Sequence, residues 1–489
     1  MSDIQELLPK NVWKNFYSLT QIPRPSKKEE QVTAFTKAFG ENLGLETIVD
    51  HVGNVIIRKP ATPGFENRMG IILQSHLDMV PQKNEGTEHD FEKDPIQTYV
   101  EDGWLKAKGT TLGADNGIGA AAAMAVLEAT DITHGPIEAL FTIDEETGMT
   151  GANELKPGLL KGDILLNLDS EDEGELYIGC AGGIDTTGIF KPVMEALPAG
   201  TSAFRLAVKG LKGGHSGLDI HLGRGNANKI INALLTLAAE KYGLRLATID
   251  GGSLRNAIPR EAFATVVIPE EKSSEFEQFV NEFTAIATKE FAQADPGLQI
   301  TVETTEKPEK VIDQRTQSNL FDAVAKFPNG VIAMSADMPD VVETSTNLAI
   351  VKSENDTILI ASLQRSAVDE DKAKLASQIR EVLSNAKAEA ESSGEYPGWK
   401  PNIHSSILAT MKEVYQNRFG KVPEVKVIHA GLECGILGAT YPNWDMISFG
   451  PTIRNPHSPD EKVHIDSVGL FWDYLIETLK HAPEKKETA

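Results

Sequence analysis

The sequence predicts an α/β protein with a doubly wound, mostly parallel sheet and a second, α+β domain inserted into it. Three observations lead to this fold class. Apolar strands alternate with helices through the first part of the chain. The middle part changes to strand–helix–strand–strand–helix fragments of the ferredoxin-like kind. Strands and helices then resume after the Gly/Pro/Ser-rich joint "ESSGEYPGWKPN".

The first part of the chain supplies the strands of the doubly wound sheet. The segments "RMGIILQSHLD", "PIEALFTID" and "GDILLNLDS" are apolar runs of strand length, and a helix is predicted between the first two at 117–129. Because 489 residues are too many for a single core, two or three domains are expected. We predict a discontinuous domain at 1–182 and 396–489, with residues 183–395 inserted between its parts.

The inserted part has its own order of elements. The strands "SAFRLAVKGL", "RLATIDGGS" and "AFATVVIPE" accompany helices predicted near 226–240 and 275–291. This order is typical of a ferredoxin-like α/β layer. The later strand "TILIASLQRS" and helix "EDKAKLASQIREVL" lead to the hypothesis that a second lobe of similar form follows.

Composition excludes several classes of partner. The formal net charge of −24 repels nucleic acid and anionic membranes but is compatible with cation binding. The most apolar stretch, "GIGAAAAMAVLEA", is too short to span a bilayer. Two cysteines, Cys180 and Cys434, cannot form a disulfide framework, and the N-terminal segment lacks the features of a signal peptide. A cytoplasmic protein with no nucleic-acid or membrane partner is therefore expected.

Polar side chains collect where the predicted strands end, and in nearby loops. They are His76, Asp78, Asp115, Glu145, Glu146, Asp169 and His457. In parallel sheets ligands bind beyond the carboxyl ends of the strands. Two histidines with several carboxylates are the ligand types of Zn²⁺, Co²⁺ or Mn²⁺, and the absence of thiolates argues against a structural zinc site. One anionic ligand that bridges them serves two neighbouring ions well, and Asp115, on a glycine-flanked loop, suits that position.

Two local spacings indicate different roles for these residues. His76 and Asp78 are two apart on one strand, so their side chains point the same way, and a carboxylate beside a ligating imidazole fixes its tautomer. Glu145 and Glu146 are adjacent and point in different directions. One of them can bind metal while the other remains a base. Each pair alone is common by chance, and it is their ordered combination that is informative.

The ordered motifs resemble a known family. The order H-x-D-x-V, G-A-D-N-G, E-E-x-G, N-x-D-S-E and H-S-P-D-E is similar to the di-zinc family of aminoacylases, carboxypeptidase G and carnosinase, over essentially the whole chain. "LGADNGIG" resembles the bacterial aminoacyl-histidine dipeptidase branch. Asp169 in "NLDSED" also favours a dipeptidase, since the carboxypeptidases and deacetylases of the family tend to have Glu at that position.

The resemblance implies a ligand set. Two divalent ions per chain are expected, with Zn²⁺ preferred and Co²⁺ or Mn²⁺ as alternatives. In the family pattern His76 and Asp169 hold one ion, Glu146 and His457 hold the other, and Asp115 bridges both.

The resemblance also implies catalytic and binding roles. Glu145 corresponds to the general base that activates a metal-bridging water, and Asp78 to the residue that orients a metal ligand. His215 in "GGHSG" resembles a donor to the oxyanion, which in relatives can come from the partner subunit of a homodimer formed through the inserted lid domain. Arg365 and Asn256 resemble the clamp for the substrate's free carboxylate.

Three functions are compared. The first is a metallo-dipeptidase acting on dipeptides, Xaa-His dipeptides among them. The second is an N-acyl amino acid amidohydrolase or deacetylase on the same fold, which Asp169 and the long insertion disfavour. The third is a non-catalytic metal-binding scaffold, which the base Glu145 disfavours. Neither substrate pocket has a readable side-chain preference.

Overall fold

The computed structural model describes residues 4–485. The chain forms two compact units. Among the described residues, the first unit takes 4–179, Trp399–Val427 and 432–485. The second unit takes Cys180–Gly398 and Ile428–Gly431.

The boundaries of the two units differ from the predicted domain boundaries by a few residues at each junction. One further segment is assigned differently. The short segment Ile428–Gly431, predicted to lie in the last part of the first domain, belongs to the second unit. The reason is local. His429 is buried there, with its Nε2 2.7 Å from Ser345 Oγ, and Ile428 accepts a hydrogen bond from the Ala181 amide.

The helices of the described residues are, in chain order, α1 (Lys10–Thr20), α2 (Glu30–Asn42), α3 (Ala114–Glu128), α4 (Glu145–Gly148), α5 (Thr150–Glu154), α6 (Ala227–Tyr242), α7 (Ser273–Glu290), α8 (Gln314–Lys326), α9 (Asp369–Asn385), α10 (Ser406–Phe419), α11 (Glu433–Thr440) and α12 (Ile465–Lys480). Between residues 4 and 485, none of them combines the length and the apolar character needed to cross a bilayer.

The strands are β1 (Glu46–Val49), β2 (Val55–Lys59), β3 (Ile71–His76), β4 (Thr98–Glu101), β5 (Trp104–Ala107), β6 (Ile137–Thr142), β7 (Ile164–Asn167), β8 (Glu175–Cys180), β9 (Gly182–Phe190), β10 (Met194–Ala196), β11 (Thr201–Lys209), β12 (Gly214–His215), β13 (Arg245–Gly251), β14 (Ala257–Ile258), β15 (Ala262–Pro269), β16 (Gln299–Thr304), β17 (Lys310–Ile312), β18 (Gly330–Met334), β19 (Val342–Glu354), β20 (Thr357–Ser366), β21 (Glu389–Tyr396), β22 (Glu424–Ile428), β23 (Asp445–Ser448), β24 (Ile453–Arg454) and β25 (Lys462–His464).

The first unit is built on an eight-stranded sheet in the order β1-β2-β6-β3-β7-β23-β8-β22. Its central strands β6, β3, β7 and β23 run parallel, and β1, β2 and β8 join antiparallel at the flanks. Strands β3, β6 and β7 are buried along their whole length, which explains why they read as continuous apolar runs. The predicted α/β fold class is confirmed, with antiparallel flanks around the parallel centre.

The second unit is built on a nine-stranded sheet that consists of two similar lobes. In one lobe the strand order is β16-β11-β15-β13, and in the other it is β21-β9-β20-β19, with β18 added beside β19. Numbered along the chain within each lobe, both orders are 4-1-3-2, the ferredoxin-like arrangement. The first lobe is inserted between β9 and α8 of the second. The hypothesis of a repeated lobe is therefore correct.

A small antiparallel sheet in the first unit escaped prediction. Its order is β24-β25-β5-β4, and the strands have two to four residues each. Strands this short have too few residues to show an alternating pattern. The sheet matters for the site because the loop between β24 and β25 presents His457.

Candidate active site

The candidate ligands of the first unit lie at one edge of the parallel sheet. His76 is the last residue of β3, Glu145 and Glu146 begin α4 shortly after β6, and Asp169 follows β7. Because these strands are parallel neighbours, their carboxyl ends meet at the same edge. Asp115 joins them from the first turn of α3.

Asp115 lies at the centre of the cluster. Its Oδ1 is 3.2 Å from His76 Nε2, and its Oδ2 is 3.2 Å from His457 Nε2. His76 Nε2 is also 3.4 Å from Asp169 Oδ1, and His457 Nε2 is 2.9 Å from Glu146 Oε2. Four groups of three residues have ligand atoms within 4.8 Å of one another, and two of these groups, His76–Asp115–Asp169 and Asp115–Glu146–His457, share Asp115.

Asp78 fixes the orientation of its neighbours. His76 Nδ1 lies 3.1 Å from the Asp78 carbonyl oxygen and 3.4 Å from its Oδ1, so a proton on Nδ1 leaves Nε2 free for a ligand. The same carboxylate accepts hydrogen bonds from the backbone N–H groups of Glu145 and Glu146, at 3.0 and 3.2 Å. Burial alone would raise the pKa of Asp78, but hydrogen bonds and the charge of His76 lower it to about 2.

The electrostatics of the cluster fit cations. Glu146 Oε1 and Asp169 Oδ1 are buried and accept no hydrogen bond from residues 4–485. Burial, with the charges of Asp115 and Glu433 added, raises the pKa of Asp169 to about 8. Burial also raises the pKa of Glu145 well above its ordinary value. Buried carboxylates packed this closely are stabilised by bound protons or by cations, and the donor set suits Zn²⁺, Co²⁺ or Mn²⁺.

Sequence reasoning missed a buried carboxylate close to this cluster. Glu433 begins α11, and its Oε2 accepts hydrogen bonds from Gln74 Nε2 at 2.6 Å and from Thr142 Oγ1 at 2.9 Å. Burial raises the pKa of Glu433 to about 7. The available signal was a single acid inside the apolar segment "AGLECGILGA". Two more missed residues, Arg24 and Glu461, are buried near Asp115.

The three remaining predicted site residues lie in the second unit, where they are neighbours. Arg365 Nε lies 3.4 Å from Ser216 Oγ, and the Ser216 amide donates to the Asn256 carbonyl oxygen at 2.8 Å. His215 in β12 is paired with Ala257 in β14. Ser216 therefore connects the strand of His215 with Arg365 and Asn256.

The tautomer of His215 is fixed by the turn that follows it. Its Nδ1 accepts hydrogen bonds from the backbone N–H groups of Gly217 and Leu218, at 3.1 and 3.0 Å. Nδ1 is therefore unprotonated, and Nε2 carries the hydrogen. Burial and the charge of Arg365 lower the pKa of His215. The imidazole is thus a neutral donor through Nε2.

Arg365 is a buried cation that forms no ion pair with a carboxylate of the described residues. Only 4% of its surface is exposed, and Nη1 donates to Tyr396 Oη at 2.8 Å. Among residues 4–485, no carboxylate oxygen lies within 4.0 Å of its guanidinium. Burial and the charge of Arg365 lower the pKa of nearby His429 to about 3, so this histidine adds no second cation. A buried guanidinium of this kind suits an anionic ligand.

Comparison with known proteins identifies the family of this chain. The family model of the peptidase family M20/M25/M40 matches residues 72–481. The chain belongs to this peptidase family. The resemblance predicted from the ordered motifs is thereby confirmed.

Two relatives of the M20 peptidase family match along the whole chain. The chain is 46% identical over 485 residues to the cytosol non-specific dipeptidase of Escherichia coli (strain K12), covering 99% of this chain and 100% of that protein. It is 49% identical to the aminoacylhistidine dipeptidase of Vibrio alginolyticus, whose crystal structure superposes with a TM-score of 0.96 and 99% coverage of both chains. The aminopeptidase PepT of Bacillus cereus, at 18% identity, TM-score 0.61 and coverage of 97% and 99%, shows a shared fold alone.

Proposed function

We propose that this protein is a cytoplasmic metallo-dipeptidase that hydrolyses dipeptides with a free C-terminal carboxylate, Xaa-His dipeptides among them. The observation that supports this most directly is the pair of three-residue ligand groups joined at Asp115. The two whole-chain relatives, a cytosol non-specific dipeptidase and an aminoacylhistidine dipeptidase, support the substrate class and the location.

Five side chains would hold the two ions. His76 and Asp169 would bind one, Glu146 and His457 the other, and Asp115 has one oxygen directed to each histidine. When bound, two such ions supply Lewis-acid polarisation of the scissile carbonyl and lower the pKa of water to near neutrality. Zn²⁺ is the proposed metal, and Co²⁺ and Mn²⁺ are compatible with the same donors.

Glu145 is the proposed general base. It takes a proton from the attacking water and later gives one to the leaving amine nitrogen. Burial raises its pKa, so this carboxylate takes up a proton more readily than an exposed Glu does. The backbone bond to Asp78 holds the start of α4 in place, so that the carboxyl group stays beside the ligand groups.

Arg365 is the proposed anchor for the substrate's C-terminal carboxylate. Its burial and its lack of a carboxylate partner within the described chain leave the guanidinium available for a bidentate contact. Asn256, whose side chain is exposed on the neighbouring turn, is proposed to assist. His215 is proposed to donate through Nε2 to the oxyanion that forms at the scissile carbonyl.

A substrate panel tests this function and its nearest alternative. We expect rapid cleavage of free dipeptides, including Xaa-His, with slow cleavage of the matching dipeptide amides, of pentapeptides and of N-acetyl amino acids. The amides remove the charge that Arg365 would bind, so their rate isolates the anchor. Preference for N-acetyl amino acids would instead establish an amidohydrolase. Turnover of none of these by the metal-loaded protein would favour a scaffold.

We propose that the second unit acts as a lid and forms a homodimer. Its strand β18 has the exposed apolar side chains Val331, Ile332 and Met334 and pairs only with β19 among the described strands. An apolar edge strand of this kind suits pairing with a second copy of the chain. In such a dimer His215 would act at the partner's site.

Replacing His215 with Ala is expected to lower turnover by roughly 10²- to 10³-fold, the usual effect of losing one oxyanion donor, with metal content unchanged. Mixing tests the action in trans. Glu145→Gln and His215→Ala chains, each nearly inactive, should recover about a quarter of wild-type activity when equal amounts exchange subunits, because about half the dimers are mixed and each has one working site.

The controls for this experiment use exposed positions and double variants. His221→Ala, at an exposed histidine in the same segment, should leave turnover unchanged. A chain with both Glu145→Gln and His215→Ala, mixed with either single variant, should recover nothing. Subunit exchange without recovered activity in the single-variant mixture would show that His215 does not act in trans, and a monomer by light scattering would refute the dimer.

A further inference from the structure

The carboxylate of Glu461 receives four consecutive backbone N–H groups. Its Oε2 accepts from Leu112 and Gly113 at 2.7 and 2.9 Å, and its Oε1 accepts from Ala114 and Asp115 at 2.7 and 3.2 Å. Glu461 is 2% exposed. Two of these amides directly precede α3 and two belong to its first two residues, so the side chain binds the backbone of the central candidate ligand directly.

Arg24 binds the carbonyl side of the same backbone segment. Its Nη2 donates to the Gly113 carbonyl oxygen at 2.5 Å, and its Nη1 donates to the carbonyl oxygens of Leu77 and Asp78 at 2.9 and 3.0 Å. The charges of Arg24 and Glu461 attract each other. The buried pair therefore joins the turn before Asp115 to the segment that follows His76.

Glu461 also belongs to the loop that presents His457. The two residues are four apart in "HSPDE", and β25 begins directly after Glu461. A carboxylate at a helix N-terminus ordinarily stabilises only the helix. Here the same carboxylate fixes the distance between two loops, one with Asp115 and one with His457, which are 342 residues apart in the chain.

We infer that Glu461 is a positioning residue for the metal centre. It fixes the position of the Asp115 backbone relative to the His457 loop, so that each oxygen of Asp115 faces one of the two histidines. This inference depends on the proposed function, since it concerns the same centre. The geometry gives the reason for its effect. Asp115 has one oxygen at 3.2 Å from each imidazole, so a shift of its backbone disturbs both ligand groups together.

The chemistry of the contact selects the test variants. In Glu461→Gln an NH₂ group replaces one oxygen and faces two N–H donors, so half of the contact is lost at almost unchanged volume. Glu461→Asp retains the charge but is one methylene shorter and cannot reach all four amides. Asp460→Asn is the matched control, because it removes one negative charge from the adjacent, exposed position of the same loop.

The experiment measures metal binding by the full-length variants, independently of activity. Zn²⁺ stoichiometry and affinity are determined by equilibrium dialysis, and the ligand geometry from the visible absorption of the Co²⁺-loaded protein. Circular dichroism and thermal unfolding of the metal-free protein report on the fold. We expect Glu461→Gln to remain folded, to bind Zn²⁺ about 10- to 100-fold more weakly and to change the Co²⁺ spectrum, with Glu461→Asp intermediate and Asp460→Asn like wild type.

Each outcome is decisive. A folded Glu461→Gln protein with wild-type Zn²⁺ affinity and an unchanged Co²⁺ spectrum would overturn the inference, even if its melting temperature is lower, because a helix-stabilising role alone predicts that result. If Glu461→Gln does not fold, the same comparison is made on Glu461→Asp. If the wild-type protein itself binds no metal, the proposed function fails, which is distinct from failure of the positioning role alone.

Discussion

Glu145→Gln is expected to retain both metal equivalents and to lose about 10²- to 10⁴-fold in turnover. Gln has nearly the same shape as Glu but cannot accept a proton, and the backbone N–H of residue 145 still donates to Asp78. The start of α4 should therefore remain in place. Metal analysis of the purified variant, together with kcat on a dipeptide, measures both parts of the expectation.

The adjacent acid supplies the matched control for that experiment. Glu146→Gln should lose affinity for one ion, because Glu146 Oε2 lies 2.9 Å from His457 Nε2 in the second ligand group. The comparison is demanding, since Glu145 also has a carboxylate oxygen within 4.8 Å of ligand atoms of His76 and Glu146. Loss of a full metal equivalent in Glu145→Gln, with retention in Glu146→Gln, would show that the two roles are exchanged.

Asp115→Ala is expected to weaken both metals at once. It removes the one side chain shared by the two ligand groups, and each of its oxygens faces a different histidine. The loss of affinity should exceed the roughly 10- to 100-fold that follows removal of an outer partner of a ligand. Equilibrium dialysis against buffered Zn²⁺ measures it.

A control variant distinguishes the loss of a bridging ligand from the loss of one negative charge in the protein. Asp131→Ala removes one exposed acid beyond the far end of α3 and should leave both affinities unchanged. If Asp115→Ala retained two equivalents at wild-type affinity, the bridging role would be refuted. Loss of one equivalent alone would assign Asp115 to a single ion.

The parts of the site that sequence could predict are those at strand ends. His76, Glu146 and Asp169 follow apolar runs of strand length, and parallel pairing brings the ends of β3, β6 and β7 to one edge of the sheet. The order of the motifs then added Asp115 and His457. The fold class was predictable from the alternation of strands and helices. The repeated lobe was predictable because one strand–helix pattern occurs twice in the inserted part.

The parts that sequence could not predict act through the backbone. Glu461 and Arg24 bind backbone amides and carbonyl groups. Because almost every residue has these groups, the contacts produce no recognisable pattern of side chains in the sequence. Glu433 stands alone in an apolar helix and pairs with Gln74, which is distant in sequence. The segment Ile428–Gly431 joins the second unit through His429, which resembles any other histidine in the sequence.

The insertion of one lobe within another, and of both within the first unit, fixes the order in which the protein can be completed during synthesis. The lobe from β11 to β16 has all its strands once Thr304 has emerged, whereas its sister lobe, which begins earlier with β9, must wait for β21. The outer sheet lacks β23 until Ser448. Because the units are nested in sequence, the inner lobe can be completed first, the outer lobe second and the sheet of the first unit last. His457 is the last candidate ligand to be translated, so the proposed metal centre cannot be complete before the chain has reached this residue.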